Sequence, residues 1–266
     1  MRLIDEWLSV PYTAHRLLRS FVAHEIKSQV AGSIGGALWT IIRPLSTLIL
    51  YAFIFSVILK LKIDFDETGT ENFTVYLLTG LIPWLAFSDA VSKAPNLLIE
   101  KSNIIGKVHF PVAILPYAAA VTAFILSGIT LILLLIALII FEDISWSWIW
   151  LPAAYFSLFI FTTGLVAFLA AIGVFLRDTA QLVAILLPFA FYLTPVLYPI
   201  SMVPETYRIF YQLNPLIPFI ETFHSILLLG VTPMVYLMQS FALGLTTFFL
   251  GGYFFIRMRS AFNDLL

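Results

Sequence analysis

The side chains able to carry proton transfer or nucleophilic attack are few and dispersed. Histidine occurs at His15, His24, His109 and His224, on four separate segments. Neither H-E-x-x-H nor G-x-S-x-G is present, and no apolar stretch holds a pair of carboxylates. Cysteine is absent, which removes a thiolate nucleophile, a thiolate metal site and any disulfide framework. No G-x-x-x-x-G-K-[ST] run occurs, so the chain lacks a loop to cradle phosphates and has no means of its own to hydrolyse ATP. The residues therefore define no catalytic, cofactor-binding or metal set.

What remains is charge and aromatic surface in an apolar sequence. Arg43 falls about five residues, ~7.5 Å, inside the first apolar stretch. Two readings of it stand: snorkelling to the inner headgroups, or contact with a pyrophosphate headgroup. Trp39, Tyr51 and Phe55 share that stretch, with Tyr51 and Phe55 four apart on one face, and they either line a pathway or pack against lipid and neighbouring helices. Asp89 and Lys93, at i and i+4, fit a helix-surface ion pair. Arg177 and Asp178 are adjacent, point apart on a helix and suit a tight cytoplasmic turn. Trp146, Trp148 and Trp150 beside Glu142 and Asp143 read as an interfacial belt.

The elements that position these residues follow from composition. Of 266 residues 61% are apolar and 11% charged, against about 25% charged in a soluble domain. Mean hydropathy is +1.00. The solvent is mostly lipid. A net charge of -1 without a Lys/Arg cluster argues against a nucleic-acid partner, because phosphate binding depends on clustered cations. Crossing ~30 Å of hydrocarbon takes about 20 apolar residues in a helix, since every backbone N–H and C=O must be bonded internally. Six stretches qualify: Leu38 to Leu61, Phe73 to Val91, Phe110 to Phe141, Trp148 to Leu176, Thr179 to Leu197 and Met234 to Ile256.

Basic residues set the orientation, being retained on the cytoplasmic side. With the N-terminus inside, Arg2, Arg16, Arg19, Lys27, Arg43, Lys93, Lys101, Lys107, Arg177, Arg257 and Arg259 fall inside, and only Lys60, Lys62 and Arg208 outside. The outer loops carry Asp64, Asp66, Glu67 and Glu71 instead. Both termini are expected in the cytoplasm, and MRLIDEWLSVPY has none of the features of a removable signal peptide.

Two segments are amphipathic rather than spanning. Residues 9–30 start at Ser9 and Pro11 and bring Leu18, Phe21, Val22, Ile26 and Val30 to helical spacing, so this helix is expected along the inner membrane surface. Residues 96–109 mix apolar and charged positions and read as a short cytoplasmic helix. Residues 198–230 are broken by Pro199, Pro204, Pro215 and Pro218, with Glu221 and His224 interrupting an apolar run too short to cross. Paired short helices dipping into the outer leaflet are expected there, shaping the exit of a pathway. The whole chain, 1–266, reads as one all-α transmembrane domain.

Ordered motifs then define a resemblance. Ser33, Gly36, Leu38, Trp39 and Pro44 open the first span, and N-I-I-G-K-V-H-F-P from Asn103 to Pro111 leads to Ile114, Leu115 and Pro116. Phe175, Arg177, Asp178 and Gln181 follow, then T-P-V-L-Y-P from Thr194, M-V-P-E from Met202 and N-P-L-x-P-x-I-E from Asn214 to Glu221. In order and spacing the chain resembles the permease subunit of type 2 ABC exporters for cell-surface polysaccharides and polyol phosphates, such as O antigen, capsule or teichoic acid. Val112 and Ala113 stand where many members carry a charged pair.

That resemblance implies two permease copies beside two copies of a separate ATPase, which holds ATP and Mg²⁺ while this chain takes no cofactor. Glu100, Lys101, Asn103, Ile104, Ile105 and Lys107 would form the coupling helix seated in the ATPase; read without it, Glu100, Lys101 and Lys107 are a solvated loop. The N-terminal helix would gate the entry of a lipid-linked glycan at the bacterial inner membrane. Asn214, Pro215, Pro218 and Glu221 would shape the outer gate. The rivals are a drug or simple-lipid exporter, a membrane transferase and a passive channel.

Overall fold

The computed structural model describes residues 2–265 except 30, 34, 62, 106–109 and 142–144. Val30, Lys62, Lys107, His109, Glu142 and Asp143, named above, lie outside the described residues. The described chain is all-helical. Among these residues five helices are long and apolar enough to cross a membrane: Trp39–Ile58, Phe73–Glu100, Ile114–Ile140, Trp146–Phe175 and Met234–Phe262. A sixth apolar helix, Thr179–Tyr192, is shorter.

Two helices precede the first span. α1 covers Arg2–Thr13 and α2 His15–Ser28, with Ala14 breaking the helix between them at φ -115 and ψ 22. The helix expected from Ser9 thus begins earlier, and Pro11 lies inside α1 rather than opening a helix. Its cause is Trp7, fully buried, which lies 4.4 Å from the Tyr117 ring while its carbonyl accepts from the Tyr117 hydroxyl at 3.0 Å. Burying that indole holds the N-terminal turns in helix ahead of the amphipathic stretch.

α3 (Trp39–Ala52) continues as a π-helix over Phe53–Ile58, and none of its residues is buried within the chain. α4 (Phe73–Lys93) is the opposite case: buried on nearly every side, it is the axis of the main core. Asn72 caps it, its side-chain oxygen accepting from Thr74 N–H at 2.9 Å. α5 is Ile114–Phe141, and α6 (Leu151–Phe175) follows a 3₁₀ turn over Trp146–Trp150.

α7 (Thr179–Tyr192) has 14 residues, ~21 Å, where the hydropathy pattern extends to Leu197. Pro195 stops it, because a proline disfavours helix at the residue before it and cannot donate to the preceding turn. Short 3₁₀ and helical turns over Ile200–Met202, Glu205–Tyr207 and Arg208–Gln212 lead to α8 (Ile217–Leu227), with Pro218 in its first turn. α9 (Met234–Leu265) runs past the expected Ile256, carrying Arg257 and Arg259 on its last turns.

Small residues let α6 and α9 approach to backbone contact. A Cβ on Gly251 would stand 2.0 Å from the Gly164 carbonyl oxygen, and one on Gly164 would stand 2.4 Å from that of Thr247. Lipid tails are as apolar as leucine, so association rests on such close packing rather than on expulsion of water.

A second core lies at the end of the bundle where the N-terminal helices meet the α4–α5 connection. Trp7 and Val10 of α1, Leu98 and Ile105 of the 96–109 segment, Ile114 and Leu115 of α5, Ala170 of α6 and Phe255 and Phe262 of α9 are buried together. Val112 and Ala113 belong to it at 5% and 3% exposure, so the pair that replaces surface charges fills an apolar core.

Candidate functional site: an inner cavity and the elbow beside it

The segment between α4 and α5 forms an elbow of two turns, Leu97–Glu100 and Ser102–Ile105, rather than one continuous helix over 96–109. Its residues divide by direction. Leu98 and Ile105 turn inward and are buried, while Ile99, Glu100, Asn103 and Ile104 are exposed. Ile105, grouped above with the coupling residues, therefore supports the elbow from inside. Lys101 is half-buried, with its ammonium 3.9 Å from the Glu25 carboxylate on α2. Phe21 of α2 packs on Phe110 with ring centres 5.4 Å apart. Elbow and N-terminal helices thus share one core.

Above the elbow, a cavity of about 460 Å³ opens between α3, α4 and α5. Trp39 and Arg43 line it from α3; Ser88, Asp89 and Ser92 face them from α4; and Ser127 and Thr130 close it from α5. Asp89 and Lys93 form the ion pair their spacing predicts, at 2.8 Å. The cavity joins a guanidinium and an indole to a row of hydroxyls on a lining that is otherwise apolar, with Leu85, Leu126 and Leu187 among its residues. Tyr51 and Phe55 do not line it. They stack on each other at 6.0 Å toward the C-terminal end of the span, with Phe55 against Phe73 at 5.1 Å.

Sequence reading missed Ser88, Ser92, Ser127 and Thr130. Their signal was available: Ser88, Asp89, Ser92 and Lys93 recur at i, i+1, i+4 and i+5 and so mark one polar face of an otherwise apolar helix. Arg177 and Asp178 occupy the turn between α6 and α7, where Thr179 N–H and its hydroxyl both bond the Leu176 carbonyl, at 3.0 and 2.6 Å.

At the opposite end of the bundle, α8 runs antiparallel to the first half of α6. Phe219 lies 4.8 Å from Phe161, about 15 Å along α6, whereas the Ile226 carbonyl accepts from the Ser147 hydroxyl ahead of it at 2.6 Å. α8 therefore begins ~15 Å along α6 and ends beside the 3₁₀ turn that precedes it. Asn214 ties its start to the end of α7: its amide donates to the Leu193 carbonyl and the Thr194 hydroxyl, both at 3.0 Å, and its oxygen accepts from Leu216 N–H. Pro215 is exposed beside it. Glu221 approaches His224 at 3.8 Å, and the His224 ring lies tilted against that of Tyr76 with centres 4.3 Å apart.

The architecture is that of a multi-pass helical membrane protein with a part-polar cavity and an exposed elbow beside it. The family model for ABC-2 type transporters matches residues 16–228, and the chain belongs to that family. It is 30% identical over 218 residues, 81% of each chain, to a Myxococcus xanthus protein named O-antigen export system permease protein RfbA. Two Klebsiella pneumoniae proteins of the same name are 27% and 26% identical over 248 residues, 91% of this chain and 92% of each relative.

Proposed function

We propose that this chain is the permease subunit of an ATP-driven exporter that moves a lipid-linked polysaccharide, O antigen or a close counterpart, across the bacterial inner membrane. The observation that carries this is the match, over at least four-fifths of the chain, to permeases named for O-antigen export. Two copies of the chain assemble with two copies of an ATPase subunit, which supplies the ATP site missing here. Its push enters at the exposed side of the elbow, through Ile99, Glu100, Asn103 and Ile104, while Leu98 and Ile105 pass it into the inner core.

Six crossings with both termini cytoplasmic fit this reading. α7 packs on α4 and on Ala94–Asn96, its Phe191 ring lies 5.3 Å from Trp84, and just past its end the Pro195 carbonyl accepts from the Tyr76 hydroxyl at 3.0 Å. The stretch from Thr179 to Leu197 thus follows α4 for most of its length, which supports a sixth crossing by helix plus turn. Arg259 near one end of the chain pairs with Glu6 near the other, which supports an even number of spans.

In this reading the cavity of Trp39, Arg43 and Asp89 receives the polar head of the lipid-linked glycan, with Arg43 facing its phosphate. The re-entrant segment around Asn214, Pro215, Pro218 and Glu221 shapes release. The test is a deletion strain: lipid-linked glycan accumulates on the cytoplasmic side and surface polysaccharide disappears. A strain that keeps its surface glycan while losing efflux of a drug or simple lipid contradicts the reading.

A further inference from the structure

α2 presents its two faces in a way its amphipathic pattern did not anticipate. Leu17, Leu18, Phe21 and Val22 are turned toward α5 and the inner core, so the apolar stripe is spent on protein rather than on lipid. Arg16, Arg19 and Lys27 lie on the opposite side of the helix, within an arc of about 80° at 3.6 residues per turn. All three are exposed, and among the described residues none forms an ion pair. The neighbouring Glu25 is directed instead to Lys101.

The level of this stripe in the membrane follows from α4. Its 21 residues span ~31 Å, matching the hydrocarbon thickness, so Lys93 at its inner end marks the headgroup layer. Lys93 and Glu25 line the same small cavity, which places the C-terminal half of α2 at that level. Gln29, just past α2, lines the larger cavity of Trp39 and Arg43. Lys27, on that half, therefore stands at the headgroups beside the mouth of the cavity, and Arg19 and Arg16 continue the stripe along the same side of the helix toward its start.

We propose that Arg16, Arg19 and Lys27 form a docking surface for the phosphate headgroups of anionic membrane lipids, holding α2 to the inner leaflet by charge while its apolar face holds it to the bundle. Each cation near an anionic surface strengthens binding about fivefold, and the attraction falls away over a Debye length. The inference is independent of what is exported.

The experiment uses the full chain in phosphatidylcholine nanodiscs doped with spin-labelled phosphatidylglycerol or spin-labelled phosphatidylcholine, without nucleotide or glycan. The fraction of motionally restricted label measures which lipid the surface selects. We expect selection of phosphatidylglycerol that weakens in high salt, falls at least fivefold in Arg16→Gln/Arg19→Gln/Lys27→Gln, and persists in the charge-keeping Arg16→Lys/Arg19→Lys/Lys27→Arg. Inorganic phosphate at matched ionic strength should leave it unchanged, and its loss there would assign the stripe to soluble phosphate instead. Selection indifferent to salt overturns the proposal without any variant. Loss of a co-purifying ATPase in the glutamine variant, with lipid selection intact, overturns it in favour of a protein partner.

Discussion

Glu25 of α2 and Lys101 of the elbow, 76 positions apart in sequence, face each other at 3.9 Å across the seam between the N-terminal helices and the α4–α5 connection. A half-exposed pair of long side chains at this distance contributes about 1 kcal/mol or less, so the seam rests mainly on packing and the pair sets its register. Any force on the elbow reaches α1, α2 and the end of α9 through the core they share with Leu98 and Ile105.

The elbow's two faces should answer differently to substitution. Ile105→Ala removes a buried side chain and is expected to destabilise the protein by about 2–5 kcal/mol. Ile104→Glu alters an exposed position and should leave the melting temperature in detergent unchanged while weakening retention of the ATPase subunit. Thermal unfolding and co-purification on the same preparations separate the two effects.

Gly251→Leu places side-chain carbons where the Gly164 carbonyl already stands, and neither backbone can yield cheaply. The expected outcome is loss of folded protein by size-exclusion chromatography. Gly128→Leu is the control, because a Cβ there meets only the Tyr155 hydroxyl at 3.6 Å.

Tyr76→Phe deletes one hydrogen bond, to the Pro195 carbonyl, and keeps the ring against that of His224. A loss of about 1 kcal/mol in stability is expected. If the turn after α7 is held by that bond, protection from hydrogen exchange should fall at Val196 and Leu197 more than on α6.

Arg43→Gln should lower export without lowering assembly, because the side chain faces the cavity and α3 buries none of its residues. Arg43→Lys keeps the charge but not the planar fork of donors, so partial recovery is expected if a phosphate is held bidentately. Export rate compared with ATPase turnover in the same vesicles reads the difference.

The spans were legible because lipid forces one rule on the backbone, and runs such as Ile114–Phe141 obey it without ambiguity. Other features lay beyond hydropathy. The extension of the first helix to Arg2 depends on Trp7 finding Tyr117 and Phe255, partners more than a hundred residues away. The shortening of α7 was written in Pro195, but an apolar count continues through it to Leu197. Within the site, Trp39 and Arg43 line one cavity, whereas Tyr51 and Phe55 went to packing, because four-residue spacing gives a shared face and not its neighbour. The inward turn of Ile105 beside the outward Ile104 depends on a break after Glu100 that composition does not mark.

The absence of native cysteine makes the decisive measurement direct. A single Asn103→Cys chain, expressed with its ATPase partner, is treated in sealed inside-out and right-side-out vesicles with a membrane-impermeant maleimide. The account predicts labelling only where the cytoplasmic face is outside, and protection of that site when the ATPase is bound. Labelling from the external face, or equal labelling with and without the ATPase, would contradict it.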